Sequence, residues 1–595
     1  METVRVFLSS GQVLAVTRGT RLLEALVEGG TNLDSPCGGR GKCGRCTTLI
    51  RYSEAGAIEA VLACSYLIDK DIWVHVPGDN TSSTATILTT GIGLPVALNP
   101  GITKHYIGEG VAGYPSFWAG LKEKAAGLGL FAPSSLGLLQ GLARLGTVKP
   151  GAPFTLVNAG GQVIDVELGD TREECFGLAV DIGTTTVVGY LLNLLTGEQV
   201  AVDSGLNGQR VYGADVISRI NMAKSGENQL KQIQARVIET INGIVANLTE
   251  KSGVAAEKIY GVTLVGNTCM HHLVLGLSPG SLGRAPFTHV FGELLETDAH
   301  RLKLAVNPQA RVWALPVVAG FVGGDTVGAI MACDLHRLSG VKMLVDIGTN
   351  GEIVINAHRR LLATSAAAGP ALEGAEISCG MRAETGAISK VRLGPEIDCQ
   401  VIGTGPVKGI CGSGLVDLMA ELINWKLVNV RGRLVSADKY FGPEELKKRL
   451  VKGEKGVRFI LRWASENQGQ EIYLSQQDIT QLQLSKGALR TAMELLRAKL
   501  GLQGSEVEEV LLAGAFGNFL GIEQALQIGL LPPWAQGKVR AIGNAAGEGA
   551  KMALLSADKR KEAAQIAQGV EFLELAGTKE FKESFVKAML FDQAK

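Results

Sequence analysis

The sequence predicts a multidomain α/β protein with a small N-terminal unit, a small α+β middle domain and a large C-terminal unit of two lobes. Its 595 residues are too many for a single hydrophobic core. Four of the 10 cysteines lie between Cys37 and Cys64, which sets the N-terminal unit apart. The tetrapeptide Asp-Ile-Gly-Thr occurs at Asp181 and again at Asp346, each time between apolar runs. Such an internal repeat indicates two lobes of similar structure.

The bulk composition excludes several classes of protein. A hydrophobic content of 46% and a charged content of 19% are typical of globular proteins. The formal net charge of +0 gives no bulk attraction to nucleic acid or to an anionic membrane. No apolar run approaches the roughly 18 residues of a membrane span, and the first residues lack the apolar core of a signal peptide. We therefore expect a cytoplasmic protein without a nucleic-acid or membrane partner.

Residues 1–78 predict a β-grasp domain. Residues 3–9 and 13–17 alternate apolar and polar side chains as strands do, and residues 22–27 follow as a short helix. A glycine-rich loop then carries three cysteines, and a fourth follows after 17 residues. In a cytoplasmic chain, cysteines clustered in this way indicate a metal centre rather than disulfides.

The cysteine spacing favours a 2Fe-2S cluster over a structural zinc ion. Four thiolates can hold such a cluster, and a glycine-rich loop lets backbone N–H groups turn towards the sulfurs. Zinc loops usually pair two C-x2-C knuckles, whereas three cysteines share one loop here. The C-x5-C-x2-C loop resembles that of 2Fe-2S ferredoxins of the adrenodoxin and putidaredoxin type. The predicted ligands are Cys37, Cys43, Cys46 and Cys64.

Residues 79–98 predict a linker, and residues 99–170 a middle domain. The polar run from Pro77 to Thr84 indicates a flexible tether, which would join two domains through a shared substrate rather than through a fixed interface. Residues 116–128 and 134–145 predict two helices, and a hairpin turns at Gly160 and Gly161. No catalytic group stands out, so we expect a spacer or docking domain.

Each Asp-Ile-Gly-Thr copy predicts a β-hairpin whose turn can bind phosphate. Glycine at the turn leaves room for backbone N–H groups to surround an anion, and the neighbouring side chains add donors. Asp181 and Asp346 end a strand in each copy and would face the Mg²⁺ of a nucleotide, through water because Mg²⁺ dehydrates reluctantly. The predicted phosphate-binding residues are Gly183, Thr184, Thr185, Gly348, Thr349 and Asn350. A nucleotide held between two lobes over residues 171–595 resembles the actin, sugar kinase and Hsp70-type ATPases.

Further polar groups of this region have open interpretations. Asp325 lies in a glycine turn and could face the nucleotide Mg²⁺ or the attacking water, or merely cap a helix. Asp215 could support a metal ion indirectly or cap a helix. Glu373 is the one reactive group of a small-residue stretch. His271 and His272 are adjacent on a predicted helix and point to different faces, so joint metal ligation is not expected.

Glycine-rich junctions between strand and helix predict contacts to the rest of the nucleotide. A helix N-terminus suits phosphate or ribose oxygens. The first junction comprises Gly412, Ser413 and Gly414, and the second, at the predicted edge of an adenosine pocket, comprises Gly514, Ala515, Phe516 and Gly517. A third junction spans residues 543–547.

Taken together, these motifs resemble the reductive activators of corrinoid proteins, a family that includes the activator of the corrinoid iron-sulfur protein and those of O-demethylases. The likeness runs nearly end to end. It implies a homodimer of ASKHA-type ATPase domains that docks a corrinoid protein and returns its Co(II) to Co(I) with one electron from a 2Fe-2S cluster. It also implies an external low-potential electron donor. No cysteine follows Cys411, which is the pattern of the bacterial members.

Physical chemistry explains why such a protein needs ATP. A ferredoxin-type cluster has a potential of about −400 mV. The Co(II)/Co(I) couple is expected to lie below it, and each 59 mV or so uphill costs a factor of about ten for one electron. Binding or hydrolysis of ATP between the lobes can bias a two-state complex towards the reduced product.

Two alternatives remain open from the sequence. An activator of a 2-hydroxyacyl-CoA dehydratase-type radical enzyme also joins this ATPase fold to electron transfer, with a 4Fe-4S cluster between subunits. Cys379 and Cys411 could serve there, although buried cysteines more often act as small apolar residues. An actin-like assembly or sensor protein that merely binds nucleotide is the alternative of another class.

Overall fold

The computed structural model describes residues 2–9, 11–29, 31, 33, 39, 41, 46–53, 56–76, 91, 93–146, 151–453, 456–575 and 577–591. The N-terminal unit contains β1 (Thr3–Leu8), β2 (Val13–Thr17), α1 (Leu22–Glu28), β3 (Thr47–Arg51), β4 (Glu59–Leu62) and β5 (Ile72–His75). Its described strands form one sheet in the order β2-β1-β5-β3-β4, with β1 and β5 parallel. Apolar residues of α1 share a core with the sheet. This arrangement matches the predicted β-grasp.

A three-stranded sheet follows. Its elements are β6 (Ile102–Ile107), α2 (Phe117–Gly127), α3 (Leu136–Gly146), β7 (Phe154–Ala159) and β8 (Gln162–Leu168), with antiparallel order β6-β7-β8. Strand β7 is buried along its whole length. Leu156 packs with the two helices, whereas Val157 belongs to the core of the large C-terminal unit. The sheet is therefore covered on both faces.

The first lobe is built on a six-stranded sheet. It contains β9 (Phe176–Ile182), β10 (Thr186–Asn193), β11 (Gln199–Leu206), α4 (Val216–Ala223), α5 (Glu227–Ser252), β12 (Ile259–Gly266), α6 (Thr268–Val274), β13 (Leu295–Asp298), β14 (Arg311–Ala314) and α7 (Gly324–Ala332). The strand order is β11-β10-β9-β12-β14-β13. Strand β10 lies between β9 and β11 and is antiparallel to both. Strand β12 lies between β9 and β14 and is parallel to both.

The second lobe repeats this plan with insertions. It contains β15 (Val341–Ile347), β16 (Gly351–Ala357), β17 (Arg360–Ala366), β18 (Ala387–Arg392), β19 (Asp398–Val401), β20 (Gly409–Ile410), α8 (Gly412–Asn424), α9 (Glu444–Lys447), β21 (Leu450–Gly453), β22 (Gly456–Arg462), β23 (Ile472–Ser475), α10 (Gln476–Lys499), β24 (Val507–Ala513), α11 (Gly514–Phe519), α12 (Ile522–Gln527), β25 (Val539–Gly543), α13 (Ala545–Leu555), α14 (Ala557–Gly569), β26 (Val570–Phe572) and α15 (Lys579–Ala588). The main sheet has the order β25-β24-β15-β16-β17-β26, and the inserted strands form β19-β18-β20 and β21-β22-β23.

The two lobes are joined through helices α7 and α13. A Cβ on Gly549 would lie 2.3 Å from the carbonyl oxygen of Gly328, so the helices cross at backbone contact distance. Only glycine allows this approach. Apolar residues of both main sheets and both helices form one continuous core. Within the described residues, no helix is long and apolar enough to cross a membrane.

Candidate functional site

A cavity of about 270 Å³ lies between the lobes, at the ends of β9 and β15. It brings together most of the residues that the sequence analysis assigned to a nucleotide. These are Asp181, Gly183, Thr184, Thr185, Asp325, Asp346, Gly348, Thr349, Asn350, Glu373, Gly412, Ser413, Gly514 and Phe516. Both copies of the repeated turn thus face the same space.

The turn after β9 is held by protein donors. A Cβ on Gly183 would lie 2.7 Å from the carbonyl oxygen of Thr186, so the turn requires glycine. The side-chain amide of Asn207 donates to the Gly183 carbonyl at 2.9 Å, and Arg219 donates to that of Thr184. Asn267 donates to the Thr184 hydroxyl at 3.1 Å. These bonds fix the turn before any ligand arrives.

Glu373 connects the two turns. It ends a short 3-10 helix, Pro370–Glu373. One carboxylate oxygen accepts from the Thr185 hydroxyl at 2.5 Å, and the other accepts from the Thr349 hydroxyl at 2.6 Å. A single carboxylate therefore receives hydroxyls from both lobes, which places Glu373 where the two turns meet.

Four carboxylates besides Glu373 line the cavity: Asp181, Asp325, Asp346 and Glu352. Burial raises the pKa of Asp181 to about 6, and it raises the pKa values of Asp325 and Asp346 to about 7. Burial also raises the pKa of Glu352 well above its usual value, and the charges of Asp325 and Asp346 add to the effect. Burial is the largest influence on each of these four pKa values, and the cationic side chain of Arg382 also lines the cavity. At neutral pH a set of buried carboxylates like this one must bind protons or a cation.

Polar residues that line the cavity but are not among the site residues predicted from the sequence include Asn267, Glu352, Arg382 and Asn544. Glu352 lies directly opposite Asp346 in the β15–β16 hairpin, whereas Val188 lies opposite Asp181 in the first lobe. Counting the hairpin register from the turn would have found this carboxylate. Asn544 donates to Asp181 at 2.8 Å, and its own side-chain oxygen accepts from the Gly547 N–H and so caps α13. The third glycine junction was noticed, but sequence alone does not bring it to Asp181.

Of the four glycines in the two predicted nucleotide junctions, two line the cavity and two do not. A Cβ on Gly412 would lie 1.8 Å from the Leu372 carbonyl oxygen, and a Cβ on Gly514, whose φ is +88°, would lie 2.6 Å from an Asp346 carboxylate oxygen. Both glycines line the cavity. Gly414 and Gly517 do not line it, because they pack against Ile388 and Leu512 instead. The side chain of Ala515 lies outside the described part of the structure.

The structure decides the open interpretations of the remaining polar residues. Asp215 caps α4, accepting from the Ser218 N–H at 2.8 Å. Asp325 does not cap α7, because Gly323 occupies that position, and its carboxylate lies in the cavity. His271 and His272 are buried, and His272 bonds the Thr268 carbonyl through Nδ1 at 2.7 Å.

Two of the predicted cluster ligands lie in the described residues. Cys46 and Cys64 are both buried, and the carbonyl of Cys46 accepts from the Ala63 N–H at 3.0 Å, which brings the two cysteines together. A Cβ on Gly39, in the cysteine loop, would lie 3.8 Å from the Cys64 Cβ. Cys37 and Cys43 lie outside the described residues.

Cys379 and Cys411, the alternative cluster ligands, are held by local contacts. The Cys411 thiol lies 3.3 Å from the Ile388 carbonyl oxygen, and the Tyr473 N–H lies 3.5 Å from the Cys379 sulfur. Cys411 is buried in the apolar wall of the cavity. Both fit the interpretation as small apolar residues.

Two sheets that share a five-strand order, each presenting a glycine turn and a carboxylate to a shared cavity, define the class as the two-lobed ASKHA ATPases. A family model described as the C-terminal ASKHA domain of RACo matches residues 340–595, and one described as the RACo middle region matches residues 176–338. The corrinoid activation enzyme RamQ of Eubacterium limosum is 33% identical over 577 residues, covering 94% of each chain. The chain belongs to the RACo family of corrinoid activation enzymes.

Two further similarities extend the comparison. A Co(II) methylated amine-specific corrinoid protein reductase of Methanosarcina barkeri is 23% identical over 436 residues, covering 66% of this chain and 73% of its own. A solved structure, the reductive activator for corrinoid, iron-sulfur protein, has a TM-score of 0.73 and 29% identity. It covers 99% of this chain and 98% of its own.

Proposed function

We propose that this protein is an ATP-dependent reductive activase, which returns the cobalt of a corrinoid protein from Co(II) to Co(I) by one-electron transfer. The observation that carries the proposal is the cavity between the two repeated turns, on a chain that also carries a four-cysteine N-terminal unit. Family membership supplies the corrinoid protein as the partner. A homodimer and an external low-potential donor belong to the same proposal.

The cavity residues fit Mg-ATP. The Gly183 and Gly348 turns, with the hydroxyl of Thr184 and the amide of Asn350, offer donors of the type that phosphate oxygens accept, while the Thr185 and Thr349 hydroxyls donate to Glu373. Mutual repulsion contributes to the raised pKa values of the buried carboxylates, and a divalent ion would relieve it. Gly412, Ser413, Gly514 and Phe516 line the remaining wall and would contact the nucleoside.

We assign distinct roles to the carboxylates. Asp181 and Asp346 occupy equivalent strand ends and would hold the nucleotide cation from both lobes. Asp325 has its pKa raised to about 7, which suits proton exchange with an attacking water near neutral pH. Glu373, through its bonds to Thr185 and Thr349, would position the two turns and orient the same water.

The N-terminal unit would hold the redox centre. The burial of Cys46 and Cys64 fits a thiolate-ligated 2Fe-2S cluster, as does the bond from the N–H of Ala63, the neighbour of Cys64, to the Cys46 carbonyl; Cys37 and Cys43 would complete the set. When bound, this cluster supplies a low-potential electron. Apolar neighbours such as Leu23 and Ile68 exclude water from the cysteine turn.

The decisive experiment measures Co(I) absorbance. The full-length holoprotein is mixed with a corrinoid protein in the Co(II) state and with a reductant too weak to form Co(I) by itself, with and without Mg-ATP. We expect Co(I) only with Mg-ATP, and ATP turnover that rises when the corrinoid protein is added. The matched control is Asp346→Asn, which should form little Co(I).

Equal formation of Co(I) with and without Mg-ATP would overturn the proposal. Iron and sulfide analysis separates the alternatives, because two irons per chain fit the N-terminal cluster and four per dimer bound at Cys379 and Cys411 fit a radical-enzyme activator. Nucleotide binding without visible cluster absorbance would favour the sensor alternative.

A further inference from the structure

A segment of the first lobe, residues 207–213, contacts both the cavity and the N-terminal unit. At one end, the Asn207 side chain donates to the Gly183 carbonyl at 2.9 Å and the Asn207 N–H donates to the Thr185 carbonyl at 3.0 Å. Asn207 is fully buried. We call residues 207–213 the coupling segment. Its first residue is therefore part of the support of the phosphate turn.

Arg219 ties the other end of the coupling segment to the same turn. Its guanidinium is fully buried and donates to the carbonyls of Thr184 and Gly213, the latter at 3.0 Å. It also contacts the Gln209 side-chain oxygen at 3.4 Å. The phosphate turn and the coupling segment thus share one buried cation, so neither can shift without the other unless hydrogen bonds break.

The coupling segment has little room to absorb movement. A Cβ on Gly208 would lie 3.0 Å from the Arg236 carbonyl oxygen, and a Cβ on Gly213 would lie 2.3 Å from the Ser218 Cβ. The Gln209 side-chain amide also donates to the Ile233 carbonyl at 3.0 Å. Close-packed elements of this kind move as units rather than deform.

The far side of the coupling segment is part of the N-terminal core. Val211 is only 6% exposed and lies in the apolar cluster formed by α1 and the β-grasp sheet. Tyr212 packs against this cluster and against the first-lobe core. Arg236, on α5, donates to the Val27 carbonyl near the C-terminal end of α1. A cation at that end of a helix is favourable.

Helix α1 carries the contact onward to the cysteine turn. At its N-terminal end, the Leu22 and Leu23 N–H groups donate to the carbonyls of Tyr66 and Ala63, each at 2.9 Å. Cys64 lies between these two acceptors. One end of α1 is therefore bonded to the first lobe and the other to the turn that contains Cys64.

The contact between the first lobe and the N-terminal unit was not expected from the sequence, which predicted a flexible tether and no fixed interface. The composition of residues 77–84 predicts a flexible tether, but it carries no information about Val211, which belongs to a remote segment. Those linker residues lie outside the described part of the chain. The described residues before the linker nevertheless contact described residues after it, through Val211, Tyr212 and Arg236.

We propose that the coupling segment makes the docking of the N-terminal unit depend on the nucleotide state of the cavity. The inference rests on the proposed function, since it takes the cavity as the nucleotide site. A nucleotide that shifts the Gly183 turn shifts Asn207 and Arg219 with it, and this changes the Val211 and Tyr212 contact with α1. Nucleotide binding and docking of the N-terminal unit are then thermodynamically linked. Because linkage is reciprocal, each changes the equilibrium constant of the other by the same factor. The cysteine turn would be presented or withdrawn according to the nucleotide bound.

Hydrogen exchange on the full-length holoprotein tests this. The amides of Leu22–Glu28 are followed with and without the Mg²⁺ complex of a non-hydrolysable ATP analogue. We expect a change of about 5-fold or more in their exchange rates, the lower end of usual coupling factors. In Tyr212→Ala and in Arg236→Gln this nucleotide-dependent change should disappear, and the analogue's dissociation constant should shift by the factor lost.

The control is Ile217→Ala, on the neighbouring helix α4, where the side chain is 48% exposed. It should keep the wild-type response. Calorimetric binding of the analogue with no change at α1 would overturn this inference and leave the proposed function standing. Absence of binding would overturn the proposed function and this inference together. If Tyr212→Ala misfolds, Arg236→Gln still tests the inference. The visible absorbance of the cluster shows whether the N-terminal unit of each variant is intact.

Discussion

Replacing Asp346 by Asn removes one charge from the four buried carboxylates of the cavity. Burial, with the charges of Asp325 and Asp181, raises the pKa of Asp346 from 3.8 to about 7. The folded state therefore binds the proton more tightly than the unfolded state. Below about pH 4 the Asp346 carboxyl does not lower the free energy of unfolding. Between about pH 4 and 7 it lowers the free energy of unfolding progressively, and above about pH 7 the loss stays constant.

The separation between pKa values of 3.8 and about 7 corresponds to an upper limit on the order of 4 kcal/mol at pH 8. Asparagine keeps the shape of the side chain without the charge. Asp346→Asn should therefore stabilise the nucleotide-free protein at pH 8, by roughly 5–10 °C in Tm if most of this free energy is recovered. The same change should lower ATP turnover by roughly 10²-fold, because it removes a group that holds the nucleotide cation.

The assay is calorimetric melting of the full-length holoprotein at pH 5, 6, 7 and 8 with divalent cations chelated. The advantage of the variant should grow from pH 5 to 7 and then level off. Mg-nucleotide should raise the Tm of the wild type more than that of the variant. Asp398→Asn, an exposed change on β19 in the same lobe, is the control and should alter the Tm little at any pH. A variant that is less stable than the wild type at pH 8, or a difference that does not depend on pH, would refute the reasoning.

Three further predictions concern the other parts of the protein. Cys46→Ala should abolish the visible absorbance of the cluster and leave nucleotide affinity within about 3-fold; full iron content in this variant would exclude Cys46 as a ligand. In Glu373→Gln the amide oxygen still accepts from one of the two threonine hydroxyls, and the amide N–H can donate to the other, so melting should resemble the wild type while ATP turnover falls by roughly 10²-fold; unchanged turnover would remove Glu373 from the catalytic group. Cutting the chain within residues 79–84 should leave an active ATPase and a reducible N-terminal unit, with Co(I) formation lower by roughly 10²-fold or more because effective concentration is lost; undiminished Co(I) formation would show that the covalent link is dispensable.

Short stretches of sequence are enough to predict the local elements. The β-grasp strands and α1 lie where apolar alternation predicted them, and both Asp-Ile-Gly-Thr copies are hairpins. Hairpin pairing depends on neighbours in the chain, so a short pattern is enough to specify it. The repeat also predicted that the two turns face each other, because duplicated lobes bury equivalent edges against a common ligand.

The contacts by which distant segments complete the site became visible with the folded structure alone. Asn544 reaches Asp181 because α13 crosses α7 between the sheets, and Glu373 meets Thr185 of the other lobe. Neither contact has a local signal, since a capping asparagine and a helix-end glutamate are common in any α/β protein. Val211 joins the N-terminal core for the same reason: burial of one apolar side chain against a remote unit leaves no periodic pattern. Sequence patterns record the hydrogen bonding of nearby residues, whereas these contacts depend on how whole sheets and helices pack.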